Sequence, residues 1–241
     1  MAFDVYVGTM TRYYRHEWEN VTQKWAREQG MKYHKVSPGS NKAQPPAAAS
    51  MIQGAVRNWC AGLTKALQPH GVGPLQWDEG ENQPYFTDRP GWEGYSALLL
   101  WTAYSEHSDM VPPTELPESW ADDPAFIRST SPEFKSMYNS ILLPMLWLPV
   151  EFTLIFSSPT LVSEEPARIG STFSLRDQLD QVHSKTSARL KNLKAAEENR
   201  GDAGRENKPA RLATEAEFSL DVFRNLAAKA CEHRLPILLD F

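Results

Sequence analysis

The amino-acid sequence predicts an α+β fold, in which several helices pack on a small mixed or antiparallel sheet within a single domain. Three observations lead to this prediction. The chain has 241 residues, of which 41 % are hydrophobic, and this is enough to bury a full core without disulfides or metals. Five or six segments carry apolar residues at the helical spacing. The few expected strands are short and dispersed, and they lack the regular alternation with helices that a parallel sheet requires.

The first half of the chain is expected to form two strands and two helices. Phe3–Val7 is rich in β-branched and aromatic residues, which favour a strand. Helices are predicted for residues 17–29 and 52–67, where tryptophan and aliphatic residues recur every three or four positions. A short strand is expected at residues 31–36. Residues 37–46 contain the proline, glycine and serine that are typical of a loop.

The second half is expected to contain a buried helix, a well-defined strand and two further helices. Residues 91–106 have almost no polar face, so this helix should be covered on several sides. The sequence FTLIF, at residues 152–156, gives the clearest strand prediction in the chain. The other expected elements are short helical turns at 118–127 and 133–139, a helix starting at Phe173 or Ser174, a helix at 214–233 and a strand from Pro236.

One domain is expected to span residues 1–241, with a flexible polar segment near residues 195–213. A division there would leave about 30 residues, which cannot bury a core of their own. The sequence shows no targeting signal and no run of about 18 apolar residues, and it predicts a cytoplasmic protein with no membrane partner. The pI near 5.7 argues against a nucleic-acid partner. Cys60 and Cys231 fall in apolar helical patterns and are expected to be buried free thiols.

Charge is distributed unevenly along the chain. Residues 76–123 contain eleven carboxylates and a single cation, Arg89, whereas the net charge of the whole chain is only −5. The same stretch contains four of the eight tryptophans. Concentrated charge of one sign attracts partners of the opposite sign. The sequence therefore predicts a partner protein with a basic surface.

No sequence motif indicates a catalytic nucleophile, a metal site, a phosphate-binding loop or a cofactor. The acids Asp78, Glu79, Glu81, Asp88 and Glu93 could perform acid–base chemistry or bind a divalent cation. They could also form a solvated loop that serves solubility, or a surface that binds another protein. All three interpretations remain open at this level.

Aromatic residues favour the protein-binding interpretation, because Trp77, Tyr85 and Phe86 lie among these acids in a predicted loop. Protein interfaces are enriched in Trp and Tyr, with complementary charge around them. The predicted partner-binding residues are Trp77, Asp78, Glu79, Glu81, Tyr85, Phe86, Asp88 and Arg89.

Three sequence blocks, MAFDVYVG, PYFTDRPGWEGYSALLLW and IGSTFSLRDQL, resemble a group of uncharacterised bacterial cytosolic proteins. In general character, as an acidic single domain with an aromatic and acidic patch, the chain is also similar to the immunity proteins that neutralise secreted bacterial toxins. This resemblance implies a binding protein whose acidic face occupies the cationic site of a toxin, such as a nuclease. Immunity proteins share no common signature, so no functional residue is transferred from them.

Two other hypotheses remain. An enzyme, such as a hydrolase, would use the acids at residues 78–93 with a metal or as acid and base, with His70 or His107 nearby. A subunit of a larger assembly would bury the helix at residues 91–106 only on oligomerisation.

Overall fold

Six short strands form one mixed sheet at the centre of the fold. The strands are β1 Asp4–Val7, β2 Phe86–Asp88, β3 Leu146–Leu148, β4 Phe156–Ser158, β5 Ala167–Ser171 and β6 Ile237–Asp240. Their spatial order is β2-β1-β6-β3-β5-β4. Neighbouring strands are antiparallel except for β3 and β5, which are parallel. The structure is a computed structural model that describes residues 3–31, 48–198 and 211–241.

The described residues also form eight α-helices, which confirms the predicted α+β class. They are α1 Met10–Tyr14, α2 Val21–Glu28, α3 Ala49–Leu67, α4 Gly91–Glu106, α5 Pro124–Thr130, α6 Asn139–Leu142, α7 Thr172–Glu198 and α8 Leu212–His233. Short 3-10 turns occupy Gln68–His70 and Trp120–Asp122. None of the helices in the described ranges has both the length and the apolar character needed to cross a membrane.

Helices cover both faces of the sheet, because successive side chains of a strand point to opposite faces. In β1, Val5 and Val7 join the core on the face covered by α4, α7 and α8. Tyr6, between them, joins a second core with Met10 of α1 and the apolar side of α3. The same alternation holds in β3 and β6. The central strands are therefore apolar on both faces.

Helix α4 is buried along most of its length, as its sequence predicts. Ten of its sixteen residues are buried, and it packs against both α8 and α5. Gly94 permits the close approach to α8, because a Cβ atom at this position would lie 3.4 Å from the Cβ atom of Ser219. These ten residues are covered by the chain itself, so α4 does not need an oligomer to bury them.

The strand prediction for residues 152–156 is wrong except at its last residue. The sheet takes its strands from 146–148, 156–158 and 167–171 instead. The Ser174 hydroxyl donates to the Phe152 carbonyl of this segment at 2.6 Å, and the Ser171 hydroxyl donates to the Val150 carbonyl just before it, also at 2.6 Å. Side chains of β5 and α7 thus bind the backbone at the start of this apolar, partly buried segment, which is not paired in the sheet.

The remaining expected elements differ mainly in their ends. Helix α2 is shorter than expected because Asn20 forms a capping box with Gln23 and fixes the first turn. The helical turn expected at 133–139 is displaced to α6. The strand expected at 31–36 and most of the polar segment near 195–213 lie outside the described residues. Cys60 and Cys231 are buried free thiols, as predicted.

Candidate functional site

Residues 76–89, which we call the acidic loop, lie between the α3 region and α4 and include the edge strand β2. They contain all eight predicted partner-binding residues. The loop lies on the α1 and α3 side of the sheet, where Trp77 and Tyr85 pack against the second core. Most of its polar groups bind other parts of the same chain.

Glu79 is buried and caps helix α1. Its carboxylate accepts hydrogen bonds from the backbone N–H of Met10 at 3.0 Å and of Thr11 at 2.7 Å. The indole N–H of Trp77 donates to the same carboxylate at 2.5 Å. The first N–H groups of a helix have no partner within the helix, and a carboxylate there also complements the helix dipole. Glu79 therefore acts inside the fold, although the sequence placed it on a binding surface.

Arg12 of α1 holds the middle of the acidic loop. Its guanidinium donates to the backbone carbonyls of Gln83 and Glu81, at 2.5 and 2.6 Å. Asp78 shapes the same turn, because its carboxylate accepts from the Gly80 N–H at 2.8 Å and from the Gln83 side-chain amide at 2.6 Å. The loop backbone is thus fixed at several points.

The aromatic residues of the loop are only partly accessible. Trp77, Tyr85 and Phe86 are each half-buried. The Tyr85 ring lies 5.1 Å from both the Arg12 guanidinium and the Lys24 ammonium. The Phe86 ring is covered in the same way by Lys229 of α8, at 4.8 Å. The Tyr85 and Phe86 rings are therefore already in contact with cations of their own chain.

Arg89, whose side chain is partly exposed, forms an ion pair with the buried Asp4 of β1. Its Nε and Nη2 atoms donate to the two Asp4 carboxylate oxygens at 2.7 and 3.0 Å, and the Asp4 side chain is only 3 % exposed. Arg89 also donates to the Thr22 hydroxyl of α2. Asp88 accepts the backbone N–H of Arg89. This network joins β1, β2 and α2, and Arg89 is therefore structural.

Exposed negative charge in the loop comes from Asp78 and Glu81. Arg15 lies 3.8 Å from Glu81, and Arg12 is close by, so cations in and just after α1 offset part of the negative charge of the acidic loop. Six of the eleven acids, from Glu106 to Asp123, lie at or beyond the C-terminal end of α4, which is about 22 Å from its first residue. The eleven carboxylates therefore do not converge on one surface.

A cavity of about 640 Å³ lies between α3 and residues 74–79. We call it the α3 cavity. It contains both apolar and charged side chains, and those that matter for its chemistry are Val56, Arg57, Cys60, Lys65, Leu75 and Asp78. The sequence interpretation missed the α3 side of this site. The four-residue spacing of Arg57, Ala61 and Lys65 on one helix face was the available signal.

Cys60 does not provide a nucleophile for the α3 cavity. Burial raises the pKa of its thiol to about 12, and the negative charge of Glu79 adds to this effect. The thiolate is the reactive form of cysteine, so a thiol with this pKa is inert near neutral pH. Cys60 contributes an apolar surface instead.

A second polar cluster surrounds His107 at the end of α4. The Ser129 hydroxyl donates to a Glu106 oxygen at 3.0 Å and lies 3.0 Å from Nε2 of His107. A hydroxyl has one proton, so His107 donates to Ser129 and cannot act as its base in this arrangement. Glu106 also accepts from the Ser136 hydroxyl and the Met137 N–H. The cluster joins α4 to the α5–α6 connection, far from the acidic loop.

Within the described ranges, no group of three or more His, Cys, Asp or Glu side chains is arranged to hold a metal ion. Asp78, Glu79, Glu81 and Asp88 each have different partners, as described above, and His107 lies at the opposite end of α4 from them. Comparison with protein-family models, with curated protein sequences and with solved structures found no match to this chain.

Proposed function

We propose that this chain is a protein-binding protein that uses the acidic loop to dock a partner with a basic surface, and that it serves as an immunity protein that neutralises a toxin. The observation that supports this proposal is the rigidity of the loop. Arg12 and Glu79 fix its backbone, while the carboxylates of Asp78 and Glu81 remain exposed. A preorganised surface loses less conformational entropy when a partner binds.

Electrostatic attraction is expected to be modest. The two exposed carboxylates act against nearby arginines, so the loop presents a small local excess of negative charge rather than a strong field. Charges at the rim of an interface mainly change the association rate and its dependence on salt. We therefore expect association with a basic partner to fall several-fold as ionic strength rises, and dissociation to change little.

The experiment compares two double variants with the same change in charge. Asp78→Asn with Glu81→Gln removes the exposed acids of the loop. Glu164→Gln with Glu165→Gln removes two exposed acids before β5 and serves as the control. A partner is first isolated from the native host with the full chain as bait. Association and dissociation rates are then measured with the purified partner at low and high salt.

The proposal predicts slower association and a flatter salt dependence for the loop variant alone. It further predicts that co-expression of the full chain relieves growth inhibition caused by the partner. Equal rates for the two double variants would show that the loop only contributes to solubility. If the isolated partner is not toxic, the immunity hypothesis is refuted, whereas the protein-binding hypothesis stands.

The alternative of a metal- or carboxylate-dependent hydrolase has no corresponding geometry in the described chain. Its acids are separated among a helix cap, a loop turn and the β2 edge. We therefore do not propose it as a second function.

A further inference from the structure

The α3 cavity has two cations at its mouth, on the side formed by α3. Arg57 and Lys65 lie one helical turn before and one turn after Ala61, so each of their Cα atoms is about 6 Å from that of Ala61 along the helix axis. Arginine and lysine side chains are long enough to cover this distance. Because the side chain of Ala61 is small, both cations can reach a group that lies over this residue.

The chain itself does not neutralise these two cations. Both side chains are exposed, and within the described ranges neither forms a hydrogen bond, an ion pair or a ring contact. By contrast, Arg12, Arg15 and Arg89 around the acidic loop all bind groups of the same chain. The guanidinium of Arg57 and the ammonium of Lys65 are therefore available to an anionic group of a ligand.

Hydrogen bonds to α3 show how the opposite wall of the cavity is placed. The N–H of Leu75 donates to the Thr64 hydroxyl at 2.9 Å. The Gln53 side chain donates to the Glu79 carbonyl at 3.1 Å, about 16 Å away from Thr64 along the helix axis. Leu75 thus lies at the C-terminal end of the cavity and Glu79 at its N-terminal end. Lys65, next to Thr64, is at the end that is farther from the acids.

The inner part of the cavity favours a neutral, apolar group. Its floor is formed by Val56, Cys60 and Leu75. Burial and, secondly, the negative charge of Glu79 raise the pKa of the Cys60 thiol, which shows that this charge acts on the floor. A second anionic group on the ligand would be repelled there, whereas an apolar body would be removed from water.

Trp77 favours a flat body. Its indole ring lines the cavity and is half-buried, and none of the described rings or cations is in contact with it. The ring N–H donates to Glu79, which fixes the orientation of the indole. Aromatic rings pack well against other flat rings in offset or edge-to-face arrangements.

We propose that the α3 cavity binds a small organic monoanion with a flat apolar body, of the aryl carboxylate class. The anionic group lies over Ala61, between Arg57 and Lys65, and the body lies between the apolar floor and Trp77. The cavity volume of about 640 Å³ is within the range of about 300–1,000 Å³ that is typical of small-molecule sites. The inference goes beyond the proposed function, because its ligand is not a protein and its two cations belong to α3.

The test uses the full chain and three probes of similar size that differ in charge. They are naphthylacetate, the neutral naphthylacetamide and the cationic naphthylethylamine. Binding is measured by NMR titration of the isotope-labelled chain, which gives both the affinity and the place of binding. A ligand of this size should bind with a Kd of about 1 mM or below.

Two matched pairs of variants accompany the probes. Lys65→Gln removes one cation of the cavity, and Lys135→Gln removes an exposed lysine between α5 and α6 as the control. Ala61→Trp fills the mouth of the cavity. Ala66→Trp adds the same side chain to α3 at an exposed position that does not line the cavity.

We expect the wild-type chain to bind naphthylacetate about tenfold more tightly than naphthylacetamide, and to bind the cationic probe most weakly. Lys65→Gln should weaken binding of the acetate by about threefold to fivefold and leave the affinity for the amide unchanged. Lys135→Gln should change neither affinity. Ala61→Trp should abolish binding of both probes, whereas Ala66→Trp should bind them as the wild type does. The largest shifts should be at the Ala61 amide and the Trp77 indole N–H.

Equal affinities of the wild-type chain for the acetate and the amide would overturn the inference. Equal effects of Lys65→Gln and Lys135→Gln would also overturn it, as would no saturation at about tenfold the expected Kd. Lys65 is exposed, so these comparisons decide the result even if Ala61→Trp does not fold. None of the variants changes Asp78 or Glu81. Failure of anion binding in the α3 cavity is therefore a separate result from failure of partner docking by the acidic loop.

Discussion

Glu79 is the residue of the acidic loop whose replacement should affect the fold most. In Glu79→Gln, the side chain keeps its shape and loses its charge and one acceptor oxygen. One oxygen of Glu79 now accepts from Met10 and Trp77, and the other accepts from Thr11. A glutamine amide places an NH₂ group at one of these positions, where a donor faces a donor.

The magnitude follows from these three hydrogen bonds. A buried N–H that loses its acceptor costs about 1–3 kcal/mol, and each remaining bond becomes weaker by about 1 kcal/mol when the acceptor is neutral. Burying a neutral amide is less costly than burying a carboxylate, which offsets part of the loss. We expect Glu79→Gln to lower the free energy of unfolding by about 3 kcal/mol. For a chain of this size the corresponding decrease in Tm is about 6–12 °C.

Glu81→Gln provides the control, because it makes the same chemical change two positions away on an exposed side chain. A surface change of this kind should alter stability by no more than about 0.5 kcal/mol. Urea unfolding and thermal melting of both variants give the comparison. Similar stabilities for Glu79→Gln and Glu81→Gln would contradict the capping role of the buried carboxylate.

Three further predictions concern charged groups elsewhere in the fold. Arg89→Met should lower the free energy of unfolding by about 3–5 kcal/mol in urea titrations, because the buried Asp4 carboxylate loses its cation. The double variant with Asp4→Asn should recover part of this lost free energy, because no unpaired carboxylate then remains. Burial lowers the pKa of His107 below its ordinary value of 6.5, so protonation of this side chain favours the unfolded chain. The Tm should therefore fall as pH drops below about 6.5. In thermal melts over the same pH range, the Tm of His107→Asn should fall less than that of the wild-type chain. Burial and the charge of Glu93 raise the pKa of Glu215, so the ionised Glu215 carboxylate lowers the stability of the folded chain at neutral pH. Glu215→Gln should therefore raise the Tm near pH 7. At acidic pH it should not, because the protonated glutamic acid and the glutamine are both neutral.

The sequence predicted the elements whose signal is local. Helices α4 and α8 and strand β1 have the expected spacing of apolar residues, and the structure confirms them. Strand β5 was missed because its sequence, ARIGS, includes a charged residue and a glycine and does not resemble a buried strand. Residues 152–156 have the composition of a strand, but the side chains of Ser171 and Ser174 bind the backbone at and just before the start of this segment. Tertiary contacts therefore determine which of these two segments forms a strand of the sheet.

The candidate site shows the same limit more clearly. Composition correctly identified a segment with concentrated acid and aromatic residues, but it could not show which side chains point inward. The partners of Glu79 lie about 70 positions away at the start of α1, and the partner of Arg89 is Asp4, 85 positions away. No local pattern contains that information. For the α3 cavity, the spacing of Arg57, Ala61 and Lys65 indicates one lining face of the helix, but it does not show that residues 74–79 pack beside that face.

The position of β6 in the sheet has a consequence for how the chain folds. β6 pairs with both β1 and β3, so the first strand of the chain and the last meet side by side at the centre. Translation at about 5–20 residues per second leaves roughly 10–50 s between the synthesis of β1 and that of β6. During this time the apolar β1 has β2 as its early neighbour and an open edge on its other side. Nascent chains should therefore depend on chaperones until β6 emerges, and refolding from denaturant should be slow because this pairing spans nearly the whole sequence.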